Sequence, residues 1–220
     1  MVLSQNIAYR NGFKQTQAIS VNGVGWNAYR NIISELPEGR SVRVDYYRGT
    51  LTLMSPSRKH EKANSLLTRL IIAICDELKL DVESLGSTLW QSQAADSAIE
   101  PDSSFYIQNE QVVRDKETLN LDSDPPPDLA VEVDITNPSL RKLPIYAALK
   151  IPEVWIYDGR VLRIFHLQQG AYVEAQTSLA FAAIPVRRLP EFLELGQSEG
   201  MSAAVAATRR WVQQLLAGGA

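Results

Sequence analysis

One segment of the chain alternates between polar or small residues and apolar ones. Four residues share the first side of this pattern: Asp128, Ala130, Glu132 and Asp134. Successive side chains of a β-strand point to opposite faces, so the alternation predicts a strand over residues 128–135 with three acids on one face. Such a face indicates either an edge strand that meets water or a strand whose polar side lines a metal site.

Apolar residues also recur at helical spacing, most clearly over residues 57–80. The apolar positions there are Ala63, Leu66, Leu67, Leu70, Ile71, Ile74 and Leu78. Steps of three and four residues predict an amphipathic helix. Further helices are predicted over residues 26–36, 139–150, 191–195 and 202–216. The second of these is predicted to begin at Asn137-Pro138, with Asn as the N-cap and Pro at the first helical position.

Short β-branched and aromatic runs between turn signals predict the remaining strands. They cover residues 41–47, 50–54, 82–85, 88–91, 104–108, 152–157, 161–167 and 171–174. The first two are predicted to form a hairpin at Arg48-Gly49. The order of strand 128–135, helix 139–150 and strand 152–157 favours a parallel pair with a right-handed crossover. We therefore expect one α/β domain over residues 1–220, with a loose arm at 1–20 and a helical appendage at 190–220.

Composition limits the classes of function that fit this architecture. The 220 residues are 45% hydrophobic and 21% charged, which is ordinary for a soluble globular protein. A net charge of -3 does not indicate a general polyanion binder, although a local basic patch beside an acidic site is compatible with nucleic acid. The single cysteine, Cys75, lies in an apolar run and suits a buried thiol in a reducing compartment. With no apolar run of about 20 residues and no secretion signal, we expect a cytoplasmic protein with no membrane contact.

Candidate chemistry centres on two acids from different predicted strands. Glu132 is central to its strand and Asp102 begins another, so the two carboxylates would converge if the strands are neighbours. Oxygen ligands of this kind suit a divalent ion such as Mg²⁺, and the backbone carbonyl of Val133 is a candidate third ligand. A bound metal can activate water and neutralise charge on a phosphate. Lys142, about one turn into the following helix, is placed to stabilise the phosphate oxygens.

Several motifs of the chain resemble a known family. They are Glu100-Pro101-Asp102, the run from Pro127 to Val133, Lys142, and Pro152-Glu153-Val154-Trp155. Together they resemble a large bacterial family of restriction-endonuclease-like proteins within the PD-(D/E)XK nuclease superfamily, and the resemblance covers nearly the whole chain. It implies a restriction-endonuclease-like α/β core of helix, mixed β-sheet, crossover helix and strand, with an N-terminal helix and hairpin and a C-terminal helix.

The resemblance also implies roles for individual residues. Asp102 matches the first acid of the superfamily and Glu132 the second, while Glu61 matches an auxiliary metal-binding acid of some members. The superfamily lysine normally lies two residues after the second acid, where this chain has Asp134. Lys142 is then the candidate lysine, and Asp134 is expected to bind a second ion or to hold Lys142 by a salt bridge.

Simpler structural roles fit some of the same residues. Asp128 after Pro127 suits a cap at the start of the strand. Lys142 beside Arg141 equally suits a solvated helix face, and a charged first turn of the helix is the default interpretation of Glu61. His60 is a candidate general base, but its spacing from His166 is not that of a zinc motif.

The leading hypothesis is an endonuclease that hydrolyses DNA phosphodiester bonds with Mg²⁺ or Mn²⁺. Its DNA backbone would follow a local basic track formed by Arg58, Lys59, Lys62 and Arg141. One alternative is a catalytically inactive nuclease fold that serves as a binding or interaction module, which Asp134 at the lysine position favours. Another, compatible with both, is a homodimer or higher homo-oligomer built through the C-terminal amphipathic helix. The sequence leaves these alternatives open.

Overall fold

The computed structural model describes residues 3–5, 17–37, 42–135 and 139–218. Twelve β-strands in these ranges form two six-stranded sheets. Six α-helices accompany them: α1 (Trp26–Glu35), α2 (Arg58–Leu78), α3 (Glu110–Val113), α4 (Leu143–Ala148), α5 (Leu189–Ser198) and α6 (Met201–Gly218). Each sheet contributes to the site described below.

The first sheet is antiparallel throughout. Its strands are β1 (Leu3–Gln5), β2 (Gln17–Asn22), β3 (Arg43–Tyr47), β4 (Thr50–Ser55), β6 (Trp90–Ser92) and β7 (Ser97–Ile99), in the order β1-β2-β4-β3-β7-β6. The predicted hairpin between β3 and β4 is confirmed, and both residues of its turn have positive φ, 44° at Arg48 and 84° at Gly49. Glycine adopts this conformation without the steric cost that a Cβ imposes.

The second sheet is mixed. It contains β5 (Glu83–Ser84), β8 (Ser103–Tyr106), β9 (Leu129–Val133), β10 (Glu153–Tyr157), β11 (Leu162–Gln168) and β12 (Ala171–Ala175), in the order β12-β11-β10-β9-β8-β5. Strands β9 and β10 are parallel, as predicted, and α4 lies in the connection between them. All five residues of β9 are buried, and the strand has a neighbour on each side. It is therefore a central strand, not an edge strand facing water.

Helix α2 is the predicted long amphipathic helix, and it packs on the second sheet. The hydroxyl oxygen of Ser57 caps its start by accepting a hydrogen bond from the backbone N–H of His60 at 3.3 Å. Its buried apolar face belongs to the largest hydrophobic cluster, together with residues of β9 and β10 such as Val131 and Trp155. This packing fixes the face of α2 that meets the start of β8.

The C-terminal helices cover another side of α2. Trp211 and Val212 of α6 are buried in the same cluster. The guanidinium of Arg209 pairs with Asp76 at 2.5 Å and with Glu77 at 2.9 Å, which ties α6 to the end of α2. The buried part of the apolar stripe of this helix therefore packs on its own domain.

The structure differs from the predicted elements in several places. The segment 1–20 was expected as a loose arm, but it contains β1 and the start of β2, because β4 supplies backbone pairing partners. The predicted helix 139–150 is a 3-10 turn over Ser139–Lys142 followed by the short α4. Its predicted start at Asn137-Pro138 lies outside the described residues.

Strand β9 is also shorter than the predicted strand 128–135, since Asp128 and Asp134 flank it. None of the helices within the described ranges combines the length and apolar character that crossing a membrane requires.

Candidate active site

Strand pairing brings the two predicted acids together. Strands β8 and β9 are antiparallel, with Ser103 opposite Val131, so the residue before Ser103 lies opposite the residue after Val131. These residues are Asp102 and Glu132, and each is 1% exposed. The carboxylate of Asp102 accepts a hydrogen bond from the backbone N–H of Val133 at 2.7 Å, which fixes it against β9. The two sequence-predicted acids therefore lie opposite each other where β8 begins beside β9.

Helix α2 holds Asp102 at two points. The imidazole of His60 contacts its carboxylate, with Nε2 to Oδ2 at 2.8 Å. One turn later, the side-chain amide of Asn64 donates to its backbone carbonyl at 2.9 Å. The side-chain carbonyl oxygen of Asn64 in turn accepts a hydrogen bond from the hydroxyl of Ser103 at 2.9 Å. Both the backbone and the carboxylate of Asp102 are thus positioned by one helix.

The carboxylates around His60 favour its protonated form. Burial lowers the pKa of His60, but the hydrogen bond to Asp102 and the nearby charges of Asp102 and Glu61 raise it to about 9. A protonated imidazole donates a proton in its bond to Asp102 and has no free lone pair. A raised pKa disfavours the general-base role expected for His60, and that role stays a prediction. Its structural task is to hold Asp102.

Glu132 is held from the opposite side by the helical segment that follows β9. The ammonium of Lys142 lies 3.1 Å from each of its carboxylate oxygens. The hydroxyl of Tyr146, one turn later, donates to Oε1 of the same carboxylate. Residues four apart share a helix face, so this short segment delivers a cation and a neutral donor to one acid. The structure thus brings Lys142 to Glu132, as the sequence predicted.

The first sheet contributes a third acid that the sequence analysis missed. Asp45 on β3 is 7% exposed, and its carboxylate lies 3.5 Å from the ammonium of Lys142. Strand β3 is tied to the segment before Asp102 because the Glu100 carboxylate accepts from the backbone N–H of Val44 at 2.8 Å. A signal was present in the sequence. Asp45 is an acid between the apolar residues Val44 and Tyr46 of a predicted strand, just as Glu132 is an acid between apolar neighbours.

Burial governs the electrostatics of this group. It raises the pKa of Glu132 to about 8; the charge of Lys142 opposes the rise, and the charges of Asp102 and Asp45 add to it. Burial also raises the pKa of Asp45, again against the attraction of Lys142. The pKa of Lys142 is itself raised, because the attraction of Asp45 and Glu132 outweighs the effect of burial. The buried acids therefore favour any additional positive charge placed among them.

The donor set fits a hard divalent cation. Oδ1 of Asp45 and Oδ1 of Asp102 are buried, and neither has a hydrogen-bond partner in the part of the chain that the structure describes. Carboxylate oxygens are the ligands that Mg²⁺ and Mn²⁺ prefer. No three His, Cys, Asp or Glu side chains among the described residues are already arranged around a common metal position. Lys142 contacts two of the acids and His60 the third, so the acids are held by protein cations.

The two accessory acids, Glu61 and Asp134, have contacts with residues other than Asp45, Asp102 and Glu132. The ion pairs of Lys142 within the described ranges are with Asp45 and Glu132, so the expected salt bridge to Asp134 is absent. Asp134 follows β9, and its backbone N–H donates to the carbonyl of Tyr157 at 2.6 Å. The Glu61 side chain is 47% exposed and lies 3.8 Å from Nδ1 of His60. Glu61 therefore contacts the histidine that holds Asp102, not Asp102 itself.

Asp128 has the capping role that the sequence suggested. Its carboxylate accepts hydrogen bonds from the backbone N–H groups of Ile107 at 2.7 Å and Asn109 at 3.0 Å. The three acids of the predicted alternating strand thus have three different environments.

The predicted basic residues lie on two different elements, α2 and the 3-10 turn before α4. Arg58, Lys59, Lys62 and Arg141 are exposed, and none makes an ion pair within the described part of the chain. At about 100° per helical residue, Arg58 and Lys62 point away from the side of α2 that carries His60. Arg69, also exposed and not predicted, shares their direction. Arg141 instead precedes Lys142 directly, so it is the predicted DNA-contacting cation nearest to the acids in sequence.

Comparisons with known proteins agree with this architecture. A crystal structure of "a putative nuclease belonging to DUF820" from Anabaena variabilis superposes with a TM-score of 0.52 at 17% sequence identity. The match covers 74% of this chain and 97% of the other, and it confirms the predicted restriction-endonuclease-like fold class. A search of curated proteins finds no match. Residues 28–202 match the Uma2 family, described as "Putative restriction endonuclease", and the chain therefore belongs to the Uma2 family.

Proposed function

We propose that the protein is a metal-dependent endonuclease that hydrolyses phosphodiester bonds of DNA. Two observations carry the proposal: the ammonium of Lys142 contacts the buried carboxylates of Asp45 and Glu132, and strand pairing places buried Asp102 opposite Glu132. Two of these acids keep a buried oxygen without a hydrogen-bond partner among the described residues. Membership of a family described as "Putative restriction endonuclease" supports this interpretation of the site.

Asp102 and Glu132 would hold Mg²⁺ or Mn²⁺, with Asp45 as a further ligand from the first sheet. When bound, the ion supplies an acidified water and a positive charge beside the phosphate. Lys142 would contact a phosphate oxygen and stabilise the charge that develops there. His60 and Asn64 keep Asp102 in place through contacts of 2.8 and 2.9 Å. The predicted roles of Glu61, Asp134 and the Val133 carbonyl at the metal stay predictions.

The DNA backbone would approach from the side of Arg141. A cation beside Lys142 can contact a phosphate next to the one that reacts, whereas Arg58, Lys62 and Arg69 point away from His60 on α2. These three cations would contact a more distant part of the backbone. Phosphate contacts of this kind position a duplex without reading its sequence.

A nuclease-fold binding module without turnover is the second candidate function. One observation favours it: the acids are already paired with Lys142 and His60, and the described residues contain no preformed metal cluster. Calorimetric titration with Mn²⁺ separates the two functions. A nuclease binds the ion and loses it in Asp102→Ala, whereas a module that works without metal binds none.

Plasmid cleavage tests the proposed activity. Supercoiled DNA is incubated with the wild type, with Glu132→Ala and Glu132→Gln, and with Glu199→Gln as a matched loss of one exposed acid. We expect nicking with Mn²⁺ or Mg²⁺, none with EDTA, and loss of activity in both Glu132 variants only. Equal activity in the wild type and the Glu132 variants would overturn the proposal. Inactivity of the wild type on supercoiled, linear and single-stranded DNA would also overturn it.

A further inference from the structure

Lys142 occupies the position on Glu132 that a metal ion would take. Its ammonium is 3.1 Å from both carboxylate oxygens, so it lies on the plane midway between them. A divalent ion bound equally by both oxygens also lies on this plane, at about 2.0–2.6 Å from each of them. On Oε1, a second direction of approach is taken by the hydroxyl of Tyr146.

Asp45 meets the same ammonium. Its Oδ2 is 3.5 Å from Lys142 Nζ, and within the described ranges this is its ion pair. The Lys142 side chain is 12% exposed, so the ammonium is held among the acids instead of extending into solvent. A metal ion that reached Glu132 and Asp45 would therefore share their oxygens with a second cation at close range, where two positive charges repel.

A lysine can leave such a position without backbone movement. Its ammonium is carried by a flexible four-carbon stem, and water can satisfy it outside the site. Oδ1 of Asp45 and Oδ1 of Asp102, which have no hydrogen-bond partner among the described residues, would then bind the metal ion. When the metal ion replaces the ammonium of Lys142 at the acids, the ion is bound by carboxylates and the ammonium by water.

We propose that Lys142 and the divalent ion compete for Glu132 and Asp45, so that metal binding releases the lysine from the acids. The inference rests on the proposed function, because it concerns the same metal site. In the absence of metal, Lys142 neutralises the acids; with metal bound, its ammonium is free to meet a phosphate.

Calorimetry on the full chain tests the competition directly. Mn²⁺ is titrated into the wild type, Lys142→Met, Lys142→Arg and Lys150→Met. We expect roughly tenfold or tighter binding in Lys142→Met, since one close positive charge is removed. Lys142→Arg keeps the competing charge and should bind as weakly as the wild type. Lys150→Met removes an exposed charge outside the site and should change affinity by no more than about twofold. Equal or weaker binding in Lys142→Met would overturn the inference.

The chemical reactivity of Lys142 gives a second test, which uses the wild type alone and so does not depend on a variant that folds. The protein is acetylated briefly with and without Mn²⁺, and modification of Lys142 is compared with that of exposed Lys62 by mass spectrometry. We expect Mn²⁺ to increase the relative reactivity of Lys142 several-fold. Unchanged or reduced reactivity at saturating Mn²⁺ would contradict the release of the lysine.

The outcomes distinguish this inference from the proposed function. Tighter Mn²⁺ binding in Lys142→Met without any DNA cleavage by the wild type supports the competition and overturns the nuclease activity. Cleavage together with unchanged metal affinity in Lys142→Met overturns the competition alone. Absence of Mn²⁺ binding in the wild type and all variants overturns both.

Discussion

The Glu132 carboxylate contacts one charged group, the ammonium of Lys142, and one neutral donor, the hydroxyl of Tyr146. The phenol is fully buried, and its hydroxyl donates to Glu132. A buried carboxylate needs donors for its oxygens, since an unsatisfied buried acceptor carries a desolvation cost. Tyr146 therefore acts as a positioning residue for the second acid.

Tyr146→Phe removes this hydroxyl and leaves the ring in place. We expect the free energy of unfolding to fall by about 1–3 kcal/mol, because Glu132 loses a buried hydrogen bond. Urea denaturation measures the loss, with Tyr47→Phe as the matched control, since the Tyr47 hydroxyl has no hydrogen bond within the described part of the chain. Similar stabilities of the two variants would contradict the role of Tyr146.

The pair of His60 and Asp102 predicts a pH-dependent stability. Folding raises the pKa of His60 from 6.5 to about 9, so the folded state binds the proton more tightly than the unfolded state. The resulting stabilisation is complete below about pH 6.5 and is lost as the pH rises through 9, with a full size of about 3 kcal/mol.

His60→Gln keeps a hydrogen-bond donor but cannot be protonated. In EDTA, we expect the wild type to be more stable than this variant at pH 6 and to lose that advantage by about pH 10. Urea unfolding at a series of pH values measures the difference. An advantage that is constant across the range would show that His60 is not charged in the folded protein.

At the scale of elements, the sequence predicted the parts that depend on local pattern. The alternation around Glu132 and the helical spacing of residues 57–80 identified β9 and α2, and Gly49 marked the hairpin. Strands β1 and β2 were not predicted, because they add to the sheet through backbone pairing with residues distant in the chain.

Asp45 was missed for a related reason. Its neighbours at the site come from the pairing of β3 with β7 and from the bond between Val44 and Glu100, contacts that sequence spacing does not contain. By contrast, the distance between Glu132 and Lys142 is set by one short connection, and this pair was predicted correctly as neighbours.

The helix faces predict unequal contributions to DNA binding. Arg141→Glu should weaken binding more than Lys62→Glu, because Arg141 adjoins Lys142 whereas Lys62 points away from His60. Both changes reverse one exposed charge, so each is the control for the other. Fluorescence anisotropy at several salt concentrations, with Ca²⁺ in place of Mn²⁺, measures affinity. The salt slope of Arg141→Glu should be smaller by about 1, and a larger effect in Lys62→Glu would contradict the proposed path.

At the scale of the whole molecule, the site depends on both sheets and on the C-terminal cover of α2. Asp45 belongs to the first sheet. Glu132 belongs to β9 of the second sheet, and Asp102 directly precedes β8 of the same sheet. Helix α2 positions Asp102, and α6 packs on α2 through buried Trp211. The C-terminal helix therefore supports the site from a distance.

Trp211→Ala should destabilise the whole fold. Trp211 is 7% exposed and packs against Phe192, so its removal leaves a large cavity and should cost about 3–5 kcal/mol. Leu216→Ala on the same helix is the control, since Leu216 is 47% exposed and should change the free energy of unfolding by less than about 1 kcal/mol. Equal effects would mean that α6 does not pack on the domain as described.

Crystals soaked in Mn²⁺ show whether the acids of the two sheets form one metal site. An anomalous difference map locates manganese without reference to any assumed ligand. We expect a peak bound by the carboxylates of Asp102 and Glu132, with the ammonium of Lys142 displaced from Glu132. A map without manganese between these acids at saturating Mn²⁺, with Lys142 still on Glu132, would contradict this expectation.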